Sequence, residues 1–207
     1  MTDFSLSRPG LPHWGWFLLA AFVLVVGFVG LSVWLPWYAE QQGIEKIEEH
    51  GGQVDTKIEA PEWLRQLVGE DHVKDSKLFV RAVAVQLSGP EIIDSQIAHV
   101  SGLANLKSLS LRGTSVTDGG LAHLSRLTNL KYLNLDRTAI TDNGLTHLTR
   151  LANLRTLALD RTAITDSGLT QLHGFTKLRH LHVSGTTVTD AGIEALHKAL
   201  PECEIRY

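Results

Sequence analysis

Leucine recurs along the second half of the chain with a period of 24 residues. Residues 106–129 read LKSLSLRGTSVTDGGLAHLSRLTN, and the segments 130–153, 154–177 and 178–201 follow the same pattern, LxxLxLxxTxϕTDxGLxxLxxLxN, where ϕ is Ile or Val. The apolar, threonine and glycine positions coincide in all four segments, which excludes chance similarity. Self-similarity at this period is typical of a solenoid, in which successive copies stack to complete a shared core.

Each copy contains one strand pattern and one helix pattern. Leu109 and Leu111 alternate with Ser110, which predicts a short strand whose leucines face inward. Leu121 begins a run of leucines spaced by three, which predicts a helical turn with one buried face. The sequence therefore predicts a strand, a turn and a helix in every copy.

Three polar or small positions are repeated with the leucines. Thr117 and Asp118 are predicted to cap the helix, where a carboxylate also suits the positive end of the helix dipole. A glycine inside each helix start predicts close packing between copies, without room for a Cβ. These glycines are Gly120, Gly144, Gly168 and Gly192. A threonine in each turn is predicted to bond the turn backbone of the adjacent copy. These threonines are Thr114, Thr138, Thr162 and Thr186.

The ends of the array follow from the period. Counting back 24 residues from the first full copy places an earlier copy near Ala82, in which Pro90 and Gln96 replace the usual Thr and Gly. Such a degenerate copy is typical of a capping repeat. Counting forward from Leu181 predicts a closing strand that contains Ile205. The array therefore occupies residues 81–207, with about four copies and a closing strand.

The repeated pattern resembles the leucine-rich repeat family, in the subtype where "ITDxGLxxL" opens a convex helix. The resemblance covers about residues 80–207. It implies an α/β solenoid with short parallel strands on the concave face and helices on the convex face. It also implies recognition of other molecules as the class of function.

A long apolar segment precedes the repeats. Residues 14–38 read WGWFLLAAFVLVVGFVGLSVWLPWY, and no charged side chain lies between Arg8 and Glu40. A helix from Trp16 to Trp37 extends roughly 31 Å, close to the bilayer hydrocarbon thickness of about 30 Å. Aromatic residues at both ends are typical of membrane interfaces. We predict a single transmembrane helix that acts as a signal anchor. The alternatives are a cleaved signal peptide and a buried helix of a soluble domain.

The flanks of this segment predict its orientation and the division of the chain. Arg8 and the α-amine on the first flank favour a cytoplasmic N-terminus, whereas Lys46 on the second is outnumbered by acids. The repeats are then extracytoplasmic. We predict an N-terminal tail at residues 1–13, the membrane helix at 14–38, a linker and cap at 39–80, and the repeat domain at 81–207.

The segment 39–80 is predicted to link the membrane helix to the repeats. Ile44 and Ile47 share one side of a short helix, and a possible strand follows at residues 52–55. Residues 61–69, PEWLRQLVG, form an amphipathic pattern that predicts a helix covering the leucines of the first copy. A solvated linker is the alternative. Together, these segments and the repeat resemble single-pass leucine-rich-repeat proteins of planctomycete bacteria, a resemblance that implies architecture but no partner.

Composition and motifs narrow the function. A net charge of −3 over 207 residues does not favour nucleic-acid binding. Cys203 is the only cysteine, so no intrachain disulfide forms, and we expect it to pack as a small hydrophobic side chain. The chain contains no GxSxG, HExxH, P-loop or dinucleotide fingerprint. We expect no enzyme activity and no cofactor.

The candidate binding surface is formed by the outward strand positions on the concave face, where solenoids usually bind. The residues predicted to contact a ligand are Tyr132, Asn134, Asp136, Asp160, His180 and His182. Asn134 is predicted to face outward, so that its replacement by alanine costs under roughly 0.5 kcal/mol. We expect the two aspartates to pair with Arg137 and Arg161 along a solvated ladder. A metal site formed by the aspartates and His182 is the alternative.

Two classes of function remain open. In the first, the concave face recognises a protein, a peptide or a wall polymer. In the second, the repeats form a structural spacer or membrane-assembly element without a defined ligand. A column of convex histidines at His99, His123 and His147 is interpreted as a polar position repeated by duplication, with titration or metal binding as the alternative.

Overall fold

The computed structural model of the chain describes residues 35–59 and 80–207, with Glu62, Gln66 and Gly69 between them. The predicted tail, nearly all of the predicted membrane helix and most of the segment 61–69 lie outside the described residues, and they stay predictions. The described part of the chain contains no helix that combines the length and the apolar character needed to cross a bilayer. Ala39–Tyr207 forms one compact unit.

Strands and helices alternate along this unit. The strands are β1 Gln53–Ile58, β2 Val80–Gln86, β3 Ser108–Ser110, β4 Tyr132–Asn134, β5 Thr156–Ala158, β6 His180–His182 and β7 Glu204–Arg206. The α-helices are α1 Leu35–Glu49, α2 Asp94–Val100, α3 Asp118–Leu121, α4 Asp142–Leu145, α5 Asp166–Gln171 and α6 Asp190–Ala199. Three 3₁₀-helices follow α3, α4 and α5 directly, at Ala122–Arg126, Thr146–Leu148 and Leu172–Gly174.

The strands form one sheet in chain order, β1 to β7. The pairs from β2 to β7 are parallel, whereas β1 lies antiparallel to β2. The register advances by one repeat at each step, since Leu109 pairs with Leu133 and Leu181 pairs with Ile205. The predicted first copy at β2 and the predicted closing strand at β7 are confirmed.

The core lies between the sheet and the helices. Leu109, Leu121 and Leu124 are 0% exposed, and the equivalent leucines of the later copies are buried in the same way. The structure refines the helix prediction, because α3 is only four residues long and a 3₁₀-helix follows it directly. A leucine at every third position suits the three residues per turn of a 3₁₀-helix.

The aspartate that recurs in each copy binds the next copy and does not cap its own helix. Thr117 caps α3, since its hydroxyl accepts from the Gly119 N–H at 3.3 Å. Asp118 instead accepts from the backbone N–H of Thr141 at 2.8 Å and from its hydroxyl at 2.6 Å. The predicted cap by Thr117 is therefore confirmed, and Asp118 lies in the first turn, at the positive end of the helix, as predicted. Asp118 is not a cap residue, however, because its carboxylate binds the next copy. We call this arrangement, an aspartate bound to the threonine of the next copy, the Asp–Thr clasp.

The clasp is repeated along the solenoid. It joins Asp94 to Thr117, Asp118 to Thr141, Asp142 to Thr165 and Asp166 to Thr189. The hydrogen bonds from the Thr189 hydroxyl and backbone lower the pKa of Asp166 below its ordinary value. Each clasp leaves the threonine hydroxyl able to cap the following helix, so the copies are coupled helix to helix.

The clasp also explains the glycine column. An alanine Cβ at Gly144 would collide with the Asp118 carboxylate and lie 3.0 Å from Ile140 Cγ2. A Cβ at the equivalent Gly120 would lie 2.5 Å from Asp94 Oδ1 and 2.8 Å from Val116 Cγ1. The predicted lack of space for a Cβ between copies is confirmed, and the neighbouring aspartate is its cause.

The threonine column in the turns has a different role from the predicted one. Thr138 Oγ1 donates to the Leu135 carbonyl at 2.6 Å, and the equivalent threonines also bond the carbonyl three residues earlier. These bonds stay within one copy, so the predicted link to the adjacent copy is wrong. Asn153 supplies such a link instead, since its side-chain amide donates to the Thr128 carbonyl at 2.9 Å.

The first copy is covered by α1 and β1. Ile44 and Ile47 of α1 are buried in the common core, which confirms the predicted helix. Glu40 is 4% exposed; it accepts from the Ala82 N–H at 2.8 Å and from Arg81 Nη1 at 3.2 Å. Burial raises the pKa of Glu40, and the bonds from Ala82 and Arg81 oppose that rise. The hydrogen bonds of Glu40 to Ala82 and Arg81 hold α1 against β2.

Candidate functional site

The concave face consists of two columns of outward strand positions, one from the first and one from the third residue of each strand. The first column is Ser108, Tyr132, Thr156, His180 and Glu204. The second column is Ser110, Asn134, Ala158, His182 and Arg206. Both columns follow from the alternation of side chains along a strand. They bring Tyr132, His180 and His182 onto one face of the sheet, with Asn134 at an outward position of β4.

The first column is open to solvent. Tyr132 is 37% exposed, and His180 is also exposed. His180 Nδ1 lies 3.3 Å from Glu204 Oε2 across the β6–β7 pair. Tyr132 accepts a hydrogen bond on its hydroxyl from Asn134 Nδ2 at 3.3 Å, so its ring is tied to the next outward residue of the same strand.

Asn134 is not the exposed residue that the strand alternation predicts. It is 8% exposed, and its Oδ1 accepts from the Asp136 N–H at 2.9 Å. Its amide therefore satisfies a backbone donor at the end of β4 while it supports the Tyr132 hydroxyl. The predicted cost of under roughly 0.5 kcal/mol for its replacement by alanine rests on the wrong premise, because loss of a buried hydrogen bond costs about 1 kcal/mol.

Asp136 and Asp160, which follow the ends of β4 and β5, also bond to the backbone. Asp136 Oδ1 accepts from the Asp160 N–H at 2.9 Å, and Asp160 Oδ1 accepts from the Ser184 N–H at 2.7 Å. No ion pair in the described part of the chain joins either aspartate to Arg137 or Arg161, so the predicted Asp–Arg ladder is wrong. The aspartates therefore bind the backbone of the next copy, at the turns that follow the strands.

The comparison with known protein families identifies the repeat at the level of the family. A family model described as "Leucine Rich repeat" matches residues 126–148 and 176–196. The chain carries leucine-rich repeats. The predicted resemblance to this family is confirmed by the match, and the predicted α/β repeat fold is confirmed by the order of strands and helices. The finer assignments of repeat subtype and of bacterial group stay predictions. No curated protein sequence matches the chain.

Solved structures that resemble this chain include proteins of bacteria and of a plant. Internalin C2 of Listeria monocytogenes is 28% identical over 52% of this chain and 45% of its own, with a TM-score of 0.43. A leucine-rich-repeat protein of Leptospira interrogans is 21% identical over 53% of this chain and 33% of its own, with a TM-score of 0.40. The ectodomain of the receptor kinase SOBIR1 of Arabidopsis thaliana is 14% identical over 82% of this chain and 97% of its own, with a TM-score of 0.49. The chain thus spans less than half the length of the two bacterial proteins.

The last strand of the leucine-rich repeats adds two residues to the concave face that the sequence analysis did not include. Glu204 lies beside His180 and Arg206 lies beside His182 in the parallel pairing of β6 with β7. These four residues, with Leu181, line a small recess at the C-terminal end of the concave face. Counting forward 24 residues from each histidine would have found them.

Arginine occupies an unusual backbone position in two of the turns. Arg137 has a φ of 55° and Arg161 has a φ of 56°. The flanking copies place Gly113 and Gly185 at this position, with φ values of 69° and 70°. The turns after β3 to β6 enclose a cleft of about 320 Å³, which we call the rim cleft. Its lining residues are Arg112, Asp136, Arg137, Asp160, Arg161, Ser184 and Gly185.

A metal site and a reactive thiol are the two other chemistries that the side chains could supply. Among the described residues, no group of three or more His, Cys, Asp or Glu side chains is arranged to hold a metal ion. Cys203 is 4% exposed, and burial raises the pKa of its thiol to about 11. The thiol is therefore protonated at neutral pH, and the predicted packing of Cys203 as a buried side chain is confirmed.

Proposed function

We propose that the chain is a binding module that recognises a protein or peptide through the concave face of its leucine-rich repeats. The observation that carries this proposal is the contrast between core and surface. The first column changes from serine to tyrosine, threonine, histidine and glutamate in successive copies. The core position between the two columns is leucine in all four copies from β3 to β6. A constant frame that presents varied side chains suits recognition, which is the general role of leucine-rich repeats.

We divide the predicted contact residues by the hydrogen bonds that their side chains make. Tyr132, His180 and His182 present side chains to the concave face, and we propose that they contact the partner. The side-chain oxygens of Asn134, Asp136 and Asp160 accept hydrogen bonds from backbone N–H groups. We propose that these three residues position the contact residues. Tyrosine is an anchor type that is enriched among binding hot spots. A wall polymer is the second candidate ligand, and no catalytic step is part of the proposal.

We expect Tyr132→Ala and His182→Ala each to weaken partner binding by about tenfold or more, because hot-spot side chains contribute upwards of 1–2 kcal/mol. The partner is first captured from an envelope extract on the full-length protein in detergent, and the affinities are then measured by surface plasmon resonance. The matched controls are His123→Ala and His147→Ala on the exposed convex surface, which leave the affinity unchanged. Loss of binding in the convex variants alone would place recognition on the wrong side of the solenoid.

The same experiment addresses the structural alternative. A spacer or membrane-assembly element has no ligand on its concave face, so capture from the extract would be equal for the parent and for a Tyr132→Ala/His182→Ala double variant. A melting curve unchanged by the double variant shows that the comparison concerns the surface and not folding.

We also propose that residues 14–38 anchor the leucine-rich repeats to a membrane as a single span, with the repeats on the extracytoplasmic side. The support is the uncharged run between Arg8 and Glu40 with aromatic residues at both ends. We expect the full-length protein to stay in the membrane pellet after alkaline carbonate washing. Labelling of Glu49→Cys, but not Ser5→Cys, by an impermeant maleimide tests the orientation. Full-length protein with an intact N-terminus in the carbonate supernatant would contradict the anchor.

A further inference from the structure

Two arginines of the rim cleft have an unusual backbone conformation, and they take no part in the recognition proposed above. Arg137 and Arg161 adopt the left-handed region, which is unfavourable for residues other than glycine. The turns themselves do not require arginine, because Gly113 and Gly185 serve the same backbone position in the flanking copies. The backbone bonds are also equivalent, since the N–H groups of Gly113, Arg137 and Arg161 donate to a carbonyl of the next copy at 2.8–2.9 Å. Two arginines are thus kept where glycine would be less strained.

The guanidinium groups at the rim have no partner among the residues that the structure describes. Arg112, Arg137 and Arg161 are exposed, and no ion pair or side-chain hydrogen bond of the described residues involves them. The two aspartates of the cleft each direct one carboxylate oxygen to a backbone N–H of the next copy. Three guanidinium groups against two carboxylates leave the cleft with a surplus of positive charge.

The stem of Arg161 shows how the side chains are displayed. A Cβ at Gly185 would lie 3.2 Å from Arg161 Cγ, so the arginine stem runs across the turn of the next copy. The glycine of the next copy leaves room for this stem. Arg112, Arg137 and Arg161 line the cleft together with Asp136 and Asp160.

We propose that the rim cleft binds carboxylates of an acidic segment in the protein partner, an inference that rests on the proposed function and names the chemistry of part of its ligand. Guanidinium groups bind carboxylates through paired, charge-assisted hydrogen bonds, which offset the strain of the left-handed backbone when a ligand is present. Adjacent strands lie about 4.8 Å apart, so arginines on neighbouring turns are spaced to engage successive acidic side chains of one segment.

The test measures the binding of a fluorescein-labelled hexaglutamate peptide to the full-length protein in detergent by fluorescence anisotropy, at about 0.15 M salt to screen distant charges. Hexaglutamine is the uncharged control peptide. The test variant is Arg137→Gly/Arg161→Gly, which gives both turns the residue of the flanking copies. The matched control is Arg126→Gly/Arg150→Gly, which removes the same charge from two exposed residues whose counterpart in the following copy is Gly174.

We expect hexaglutamate to bind the parent more tightly than hexaglutamine, and the Arg137→Gly/Arg161→Gly variant to lose about tenfold or more in affinity. The melting temperature of this variant should equal or exceed that of the parent, because glycine relieves the left-handed strain. A purely structural role for the arginines would lower it. The Arg126→Gly/Arg150→Gly variant should bind within about threefold of the parent, since neither arginine lines the cleft and the salt screens distant charges.

Three results would overturn the rim-cleft proposal: no measurable preference for hexaglutamate, equal losses in the two double variants, or tighter binding of inorganic tripolyphosphate than of hexaglutamate. The recognition proposal has a separate outcome. If the partner captured from the extract loses affinity with Tyr132→Ala/His182→Ala but not with Arg137→Gly/Arg161→Gly, recognition by the concave face stands and the acidic-segment assignment falls.

Discussion

Replacement of Leu133 by alanine is expected to lower the free energy of unfolding by about 2–5 kcal/mol. Leu133 is 0% exposed and lies in β4, paired with Leu109 on one side and Leu157 on the other. The substitution removes apolar contacts and leaves a cavity that the short strands on both sides cannot fill. Because each copy of a solenoid is stabilised by its neighbours, damage in a central copy spreads in both directions. Urea denaturation followed by far-UV circular dichroism measures the loss.

Asn134→Ala provides the comparison on the same strand. Its expected cost is about 1 kcal/mol, because the variant leaves the Asp136 N–H without the acceptor that it has at 2.9 Å. The cost exceeds the value for an exposed side chain but stays below that of the leucine. Equal losses in the two variants would show that the assignment of inward and outward positions in β4 is wrong.

Replacement of Gly144 by alanine is expected to cost about 2–4 kcal/mol, since the new methyl group displaces the Asp118 carboxylate from its clasp with Thr141. The displaced carboxylate loses the bonds of 2.8 and 2.6 Å to the threonine N–H and hydroxyl. Asp118→Ala alone should cost about 2 kcal/mol through the loss of the same two bonds.

A double-mutant cycle measures the coupling between these two positions. In the Asp118→Ala background the main obstacle to the methyl group is gone, and only the contact of 3.0 Å with Ile140 Cγ2 remains. We therefore expect Gly144→Ala to add less than about 1 kcal/mol in that background, which gives a coupling energy of more than about 1 kcal/mol. Additive losses would show that the aspartate is not the reason for glycine at this position. Asn143→Ala, on the exposed side of the same helix, is the control.

The fold could be predicted from the sequence because the repeat constrains it many times over. The pairing of Leu109 with Leu133 follows from the 24-residue period alone, and each further copy tests the same assignment. The collision at Gly144 could be predicted in kind, since only close packing explains a glycine kept at every helix start. The role of Asp118 could not, because the cap of its own helix and the clasp to the next copy both place a carboxylate beside the same Thr-Asp pair.

The candidate site could be predicted only in outline. Strand alternation places Tyr132 and His182 on the concave face, but it does not report how deep a side chain lies. Asn134 is buried because it folds back onto the N–H of Asp136, a choice that depends on local turn geometry. The left-handed backbone at Arg137 could not be predicted from the residue type, since arginine rarely adopts this conformation. The alignment of Arg137 with Gly113 in the preceding copy was the available signal.

Photo-crosslinking from a defined face tests the central claim, recognition through the concave surface, most directly. Benzoylphenylalanine is placed either at Thr156, between Tyr132 and His180 in the first column, or at the exposed convex position His147. The full-length protein is irradiated with the captured partner, and the products are separated by mass. Concave recognition predicts a crosslinked complex from position 156 and none from position 147. A complex formed from position 147 and absent from position 156 would contradict it.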